Sequence, residues 1–485
     1  GDSTMQMENS IGLGHGRVTE SRGAQRVSFA GLYVFTFLLY TRPQELFASA
    51  FGDFPLVRIV AVAALAAYVL GRLLTAERVT IWPIELKMLL LIVALGLVWA
   101  FVAQSPGDSF NVLTDTLLKI VAVFILMINL IDSRERLISI IRLVVTICAF
   151  MGLAACLSFA EGKFTPKTFP PRITGIVNGF FGNPNDLATS LDLAIPLAMV
   201  MALWSRGGKR IFYYSCAVGL GAAVIFTFSR GGFLGLIAIA LFFLLKLARR
   251  RAGAIILIAG SLMGLFMVAP GGYGSRLSSI LNADEDETGS SQARLDLLTR
   301  ASALALTHPI IGLGLGNFHI YSIGEQRAHN SYLEIAAELG LAGLAAYLII
   351  LFGPFRYLRK IEAASRPAPS AARNSWTGPA PPNQPAQDDR TTDYYLSLGI
   401  QGALIAYAVC SFFGSVQYIW DLYYIVAYAV ALKGITGLRS KARTQFDRAA
   451  RVQDRNSPLD SPPQAGVLWN GSGGQVPALP SGRPL

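Results

Sequence analysis

The feature that most constrains this chain is the recurrence of apolar runs about as long as a bilayer is thick. A spanning helix needs roughly 20 mostly apolar residues. Twelve candidates are read along the sequence, near 28–41, 57–75, 83–102, 113–131, 138–160, 186–204, 211–228, 232–248, 253–269, 332–354, 394–413 and 416–437. Of the 485 residues, 53% are hydrophobic and only 15% are charged. A soluble domain, at roughly 25% charged, has more charge with which to cover its surface. A soluble enzyme, a secreted disulfide scaffold and a mostly disordered protein are therefore excluded. The expected fold is an all-α polytopic membrane protein with about twelve transmembrane helices. Cys148, Cys156, Cys216 and Cys410 all fall inside apolar runs without CxxC spacing, so they read as small buried hydrophobes.

The first run also resembles a signal peptide, with Arg22 and Arg26 before it and Ala48-Ser49-Ala50 after it. Polar residues Thr41 to Glu45 separate the run from that site, so a retained span is expected. Lys and Arg residues set the orientation. With the N-terminus inside, the short inner loops hold fifteen of them and the short outer segments six. Both termini are then expected in the cytoplasm. The formal net charge of +11 is explained by these topogenic clusters, which can meet anionic lipid heads, and no nucleic-acid partner is implied.

This topology divides the chain into an inner tail at 1–27, nine spans over 28–269 and a large outer loop at 270–331. Three further spans follow over 332–437, interrupted by an inner loop at 357–393, and the tail is 438–485. The inner loop and the tail are rich in Pro, Ala and Ser and read as disordered. Within the outer loop, Gln292 to Ala301 has apolar residues at helical spacing. It predicts an amphipathic helix of about three turns, ending near Thr307-His308-Pro309. Gly312, Gly314 and Gly316 lack the strand–helix context of a dinucleotide site and are expected to let the loop pack closely. Asp284 to Glu287 read as a solvated acidic tip, not as a metal site.

Three polar clusters interrupt the outer face. The first runs from Arg172 through Gly175 to Asn183-Pro184-Asn185-Asp186. The second is Thr227-Phe228-Ser229-Arg230-Gly231-Gly232. The third is Arg327-Ala328-His329-Asn330-Ser331-Tyr332-Leu333-Glu334. Asn-Pro-Asn-Asp suits a helix start and Arg230 an interfacial position. Two arginines and a histidine converging on one membrane face point further. The arginine fork binds phosphate oxygens bidentately and keeps its charge. Histidine exchanges protons near neutral pH. An anionic, lipid-linked substrate fits both. His308, before Pro309, reads as structural, and His15 is excluded by its inner location. His319 also lies in the outer loop and takes no assigned role.

In order and sidedness, Arg-x-x-Gly, Gly-Asn-Pro-Asn-Asp-Leu-Ala, Ser-Arg-Gly-Gly and His-Asn-Ser-Tyr-Leu-Glu resemble the O-antigen ligase and O-antigen polymerase superfamily over roughly residues 160–355. Tyr40-Thr41-Arg42-Pro43-Gln44-Glu45 is similar to a feature of ligase-like members found with exopolysaccharide or protein-sorting systems. The resemblance implies a metal-independent glycosyltransferase without a cofactor, in the bacterial inner membrane, with loop 270–331 and the active site in the periplasm. It implies a glycan donor on undecaprenyl diphosphate and lipid A–core of lipopolysaccharide as acceptor. Arg172 and Arg230 would bind the diphosphate, and His329 would activate the acceptor hydroxyl. Asn183, Asn185, Arg327, Asn330 and Tyr332 would line the substrate site. An O-antigen or exopolysaccharide polymerase and a protein O-oligosaccharyltransferase are the near alternatives. A transporter using Lys119, Asp192 or Asp421 is a remote one, because no internal repeat relates the halves.

Overall fold

The computed structural model describes residues 23, 25–47, 55–76, 78–162, 172–177, 181–247, 290–367 and 387–437, and these are helical with no strand among them. The long helices are α1 (25–41), α2 (Leu56–Leu74), α3 (Ile84–Ala100), α4 (Pro106–Leu130) and α5 (Arg134–Ala160). They continue as α6 (Pro184–Trp204), α7 (Gly208–Phe226), α8 (Arg230–Leu247) and α9 (Ser290–Thr307). The last four are α10 (Ser331–Phe352), α11 (Pro354–Ala364), α12 (Gln387–Cys410) and α13 (420–437). A π-helical turn, Leu113–Leu117, interrupts α4.

Helices cover eleven of the twelve expected runs, and the run at 253–269 lies outside the described residues. Among the described residues, seven helices are long and apolar enough to cross a membrane. The protein is thus a multi-pass, all-helical membrane protein. Of the other helices on expected spans, α1 and α3 have 17 residues each, and α12 and α13 contain Asp393, Asp421 and Lys433.

Local chemistry sets the helix starts. Ser105 accepts from the Asp108 N–H ahead of α4, and Ser133 accepts from the Arg136 N–H ahead of α5. Asn183 accepts from the Asn185 N–H, with Pro184 at the first helical position of α6. The Ser133 cap explains why α5 begins four residues before the expected 138.

Helix α6 is the axis of the packing: 94% of its apolar window is buried, against 11% for the peripheral α2. It packs against α5, α7, α8 and α12. Gly399 and Gly402 of α12 permit that approach, since a Cβ at Gly402 would lie 2.8 Å from Pro196 Cβ. At one end of the bundle, ion pairs fasten the helices. Arg134 of α5 makes two 2.6 Å bonds to Asp393 of α12. Lys246 of α8 reaches Glu362 of α11 at 2.7 Å, and Gln401 of α12 also donates to Glu362. The three polar clusters lie at the other end.

Two segments depart from expectation. The loop helix α9 runs 18 residues, well beyond three turns, because Ala301, Ala303 and Ala305 are strong helix formers. The segment 357–393 is helical at both ends, within α11 and α12. Leu358 and Ile361 of α11 are buried, which composition alone does not reveal. Residues 368–386 lie outside the described set, as do 1–22, the acidic run 284–287 and the tail 438–485.

The long loop is built into α10. At Gly340 the backbone turns left-handed (φ 71°) inside the helix. Leu313 N–H donates to Ala337 O, Gly314 N–H to Glu338 O and Leu341 N–H to Pro309 O, at 2.8–3.0 Å. A Cβ at Gly312 would sit 2.1 Å from Glu338 O, so the close approach requires glycine there. The expectation that these glycines serve loop packing is met.

Candidate functional site

The site begins where α6, α7 and α8 meet. Chain reversal between α7 and α8 takes three residues, Thr227 to Ser229, with Phe228 at φ 51°. Ser229 caps α8 by accepting from the Gly232 N–H at 3.2 Å. That cap aims the amino end of α8, with Arg230 as its first residue, into the cluster. Both the charge and the helix dipole favour an anion there. Arg230 is 9% exposed.

Arg172 joins this turn from the preceding segment. Its Nε donates to Thr227 O at 3.0 Å and its Nη2 to Asn185 Oδ1 at 2.7 Å. Asn185 Oδ1 also accepts from Ser229 Oγ at 3.0 Å. Asn185 therefore ties the half-buried Arg172 to the turn that carries Arg230. These bonds hold the guanidinium in place before any ligand arrives.

His329 approaches from the other side, at the end of the long loop. Its backbone is left-handed, φ 51°, which is uncommon for a residue with a Cβ. A clamp explains how that conformation persists. His329 N–H donates to Ser415 Oγ at 3.1 Å. The Ser415 hydroxyl in turn makes a short bond to Glu334 Oε2. Glu334 also accepts from Ala328 N–H at 3.1 Å and from Gln417 Nε2 at 2.8 Å. One buried carboxylate thus fixes both sides of the histidine backbone. The imidazole is half-buried, with its pKa pushed down to about 4 by burial and then by the charges of Arg294 and Arg327. It is neutral across the neutral pH range.

The turn between α12 and α13 bridges the two halves. Cys410 Sγ lies 3.6 Å from Gly231 O, and Phe413 packs against Gly231, while Ser415 holds His329. Arg327 is exposed and its charge acts on both Asp186 of α6 and His329.

Of the expected substrate-lining residues, Asn183 and Asn330 cap α6 and α10. Asn330 Nδ2 also donates to Phe412 O, and Tyr332 OH donates to Ala408 O at 2.8 Å. Asn185 bonds Arg172, and Arg327 stands beside His329. Thr227, Ser229, Glu334, Ser415, Gln417 and Arg294 complete the environment and were not singled out from sequence. Thr227, Ser229 and Glu334 carried a signal, as members of the quoted polar clusters.

Other expected ionisable residues have local partners. Lys119 pairs with Asp115 at 2.8 Å. Asp192 is buried, with Cys410 Sγ at 3.4 Å. Asp421 accepts from Tyr40 OH at 3.1 Å and Ser190 Oγ at 2.5 Å. His308 Nδ1 lies 3.2 Å from Leu304 O, in keeping with a structural role. Among the described residues, no group of three or more His, Cys, Asp or Glu is placed to hold a metal.

A helical, multi-pass membrane protein with a bonded Arg172, a buried Arg230 and a clamped, neutral histidine at one end of its bundle is the class defined here. Residues 215–348, from α7 through Arg230, the long loop and His329 into α10, match the family model described as O-antigen ligase. The match supports the superfamily that the motifs resemble, over this segment of the chain. No curated protein matches the chain.

Proposed function

We propose that this protein is an O-antigen ligase that transfers a glycan from undecaprenyl diphosphate to lipid A–core of lipopolysaccharide on the periplasmic side of the inner membrane. The observation that carries the reading is the bonded set Arg172–Asn185–Ser229 at the foot of Arg230, inside a fold whose family match spans Arg230 to His329.

In this reading Arg172 and Arg230 face the diphosphate. The bond between the anomeric carbon and the phosphate oxygen breaks, and its electron pair leaves on the diphosphate. The arginines stabilise that growing charge without rearranging. The acceptor oxygen forms the new glycosidic bond, and its proton passes to the neutral His329 imidazole. The imidazole then returns the proton to solvent or to the departing diphosphate. Bound diphosphate also raises the basicity of His329, because its negative charge opposes the effect of Arg294 and Arg327.

The test is reconstitution in vesicles with an undecaprenyl-diphosphate glycan, without ATP or an ion gradient. Lipid A–core, a second lipid-linked glycan and an acceptor protein are offered separately. Consumption of lipid A–core supports the ligase. Consumption of lipid-linked glycan, or of protein, would reassign the enzyme to a polymerase or a protein oligosaccharyltransferase. Transport without transfer would overturn the reading.

A further inference from the structure

A cavity of about 510 Å³ lies between α1, α2 and α4, outside the cluster just described. Its walls share one pattern. Arg42, Arg58 and Lys119 line it, and so do Phe35, Leu65 and Leu126, each seven residues from one of those cations. Seven helical residues rise roughly 10 Å. The cavity is therefore a pit with a cationic rim and an apolar floor. On α1 the chain climbs from floor to rim, and on α2 and α4 it descends, so three separate sequences build the same gradient.

The rim carries further marks of a binding site. Arg42 adopts φ 42° and ψ 57°, a left-handed conformation held between α1 and the short helix Pro43–Leu46. Such strain concentrates where side-chain direction matters. Gln44, also lining the cavity, keeps a buried side-chain oxygen without a hydrogen-bond partner. Arg42 pairs with Glu45 and Lys119 with Asp115, while Arg58 adds a further positive charge near Asp115. The rim stays net positive. It suits an anionic head that also offers a hydroxyl to Gln44. On the scale at which a cavity of roughly 150 Å³ holds benzene, the pit takes about 20 carbons, one chain rather than several.

The wall of the pit is also linked to the arginine cluster through packed side chains. Trp420 lines it, and the next residue, Asp421, bonds Tyr40 and Ser190 of α6. The Tyr40 ring lies 6.4 Å from that of Phe181, whose carbonyl accepts from Gly175, three residues past Arg172.

We propose that this pit is the loading site of the lipid-linked donor. It takes the head-proximal isoprenoid units of a polyprenyl diphosphate, with Arg42, Arg58 and Lys119 facing the diphosphate before it reaches Arg172 and Arg230. The assignment rests on the donor chemistry proposed above. It gives a role to the Tyr-Thr-Arg-Pro-Gln-Glu motif that the transfer step leaves unused.

The experiment uses the purified full chain in nanodiscs and no acceptor, so it reads binding rather than transfer. The probe is undecaprenyl diphosphate carrying a diazirine on its isoprenoid units nearest the head. Peptides of α2 and α4 around Arg58 and Lys119 should be labelled, and excess undecaprenyl diphosphate should suppress the label where phosphatidylglycerol does not. Arg58→Gln with Lys119→Gln should weaken binding about tenfold or more. Ala122→Phe and, from the facing wall, Ala61→Phe should each remove the label in protein that keeps its thermal transition. Equal suppression by phosphatidylglycerol, or wild-type labelling confined to other helices, would overturn the proposal. If labelling holds while no acceptor is ever glycosylated, the transferase reading fails and the loading site stands.

Discussion

His329 offers a quantitative test of the site through its pH dependence. A histidine at its ordinary pKa of 6.5 would be about 3% neutral at pH 5, whereas one near 4 would be about 90% neutral, a roughly 30-fold difference in the competent form. With the pKa held down to about 4 by burial, Arg294 and Arg327, kcat/KM should stay nearly flat from pH 7 to 5 and fall only near pH 4. That profile reports the free enzyme, whereas kcat reports the complex. The diphosphate of a bound donor favours the imidazolium, so the acid limb of kcat should lie at higher pH than that of kcat/KM. Replacing Arg294 and Arg327 together by glutamine should move the free-enzyme limb upward, though not fully to 6.5, because burial is the larger cause. Initial rates of glycan transfer across pH 3.5–8, with histidine NMR titration of the same proteins, measure both quantities. A wild-type kcat/KM limb at 6.5, or a double variant with an unmoved limb, would refute the electrostatic reasoning. His329→Ala should lose roughly 10²–10⁴-fold in transfer, the range of general base catalysis.

Arg230→Lys keeps the charge but loses the planar fork, and Arg172→Ala breaks the bonds to Asn185 and Thr227. Each should reduce transfer at least about tenfold, equivalent to about 1.4 kcal/mol of transition-state stabilisation, and wild-type turnover in both would make them interfacial anchors. Glu334→Gln removes the charged acceptor that holds Ala328, Ser415 and Gln417. It should lower kcat more than it raises the donor KM, and equal changes in the two would point to general misfolding. Single cysteines at Ser290 and Ser370, in a background lacking the native four, should react with an impermeant thiol reagent from opposite sides of the membrane. Labelling from one side would overturn the expected sidedness of the long loop.

Much of the helical framework was legible because bilayer-length apolar runs do not depend on tertiary context. The misjudged segments are those where context decides. Helix α11 resembles a polar linker until Leu358 and Ile361 find a buried face and Lys246 meets Glu362. The candidate site was legible as three short motifs, and the reading of Asn-Pro-Asn-Asp as a helix start also describes the observed bond of Asn183. Ser415 and Gln417 were hidden because they lie more than 80 residues beyond His329 and Glu334 in the chain. No local pattern links them to that histidine. Its lowered pKa was likewise unreadable, since burial and the approach of Arg294 exist only after packing.

The break in α10 bears on how this protein can be recombined with its relatives. Main-chain bonds at 309–314 and 337–341 stitch the long loop into the helix. Each is worth about 1 kcal/mol when made and more when left buried and unmet. The loop is consequently not an interchangeable part. A chimera that grafts 290–330 alone from a related protein would sever this seam, with Gly312 and Gly340 on opposite sides of the junction. The smallest unit that keeps this seam within one parent is 309–341, which also holds His329, Glu334 and the first half of the helix, while their partners Ser415 and Gln417 lie outside it. Swaps should be cut at those points.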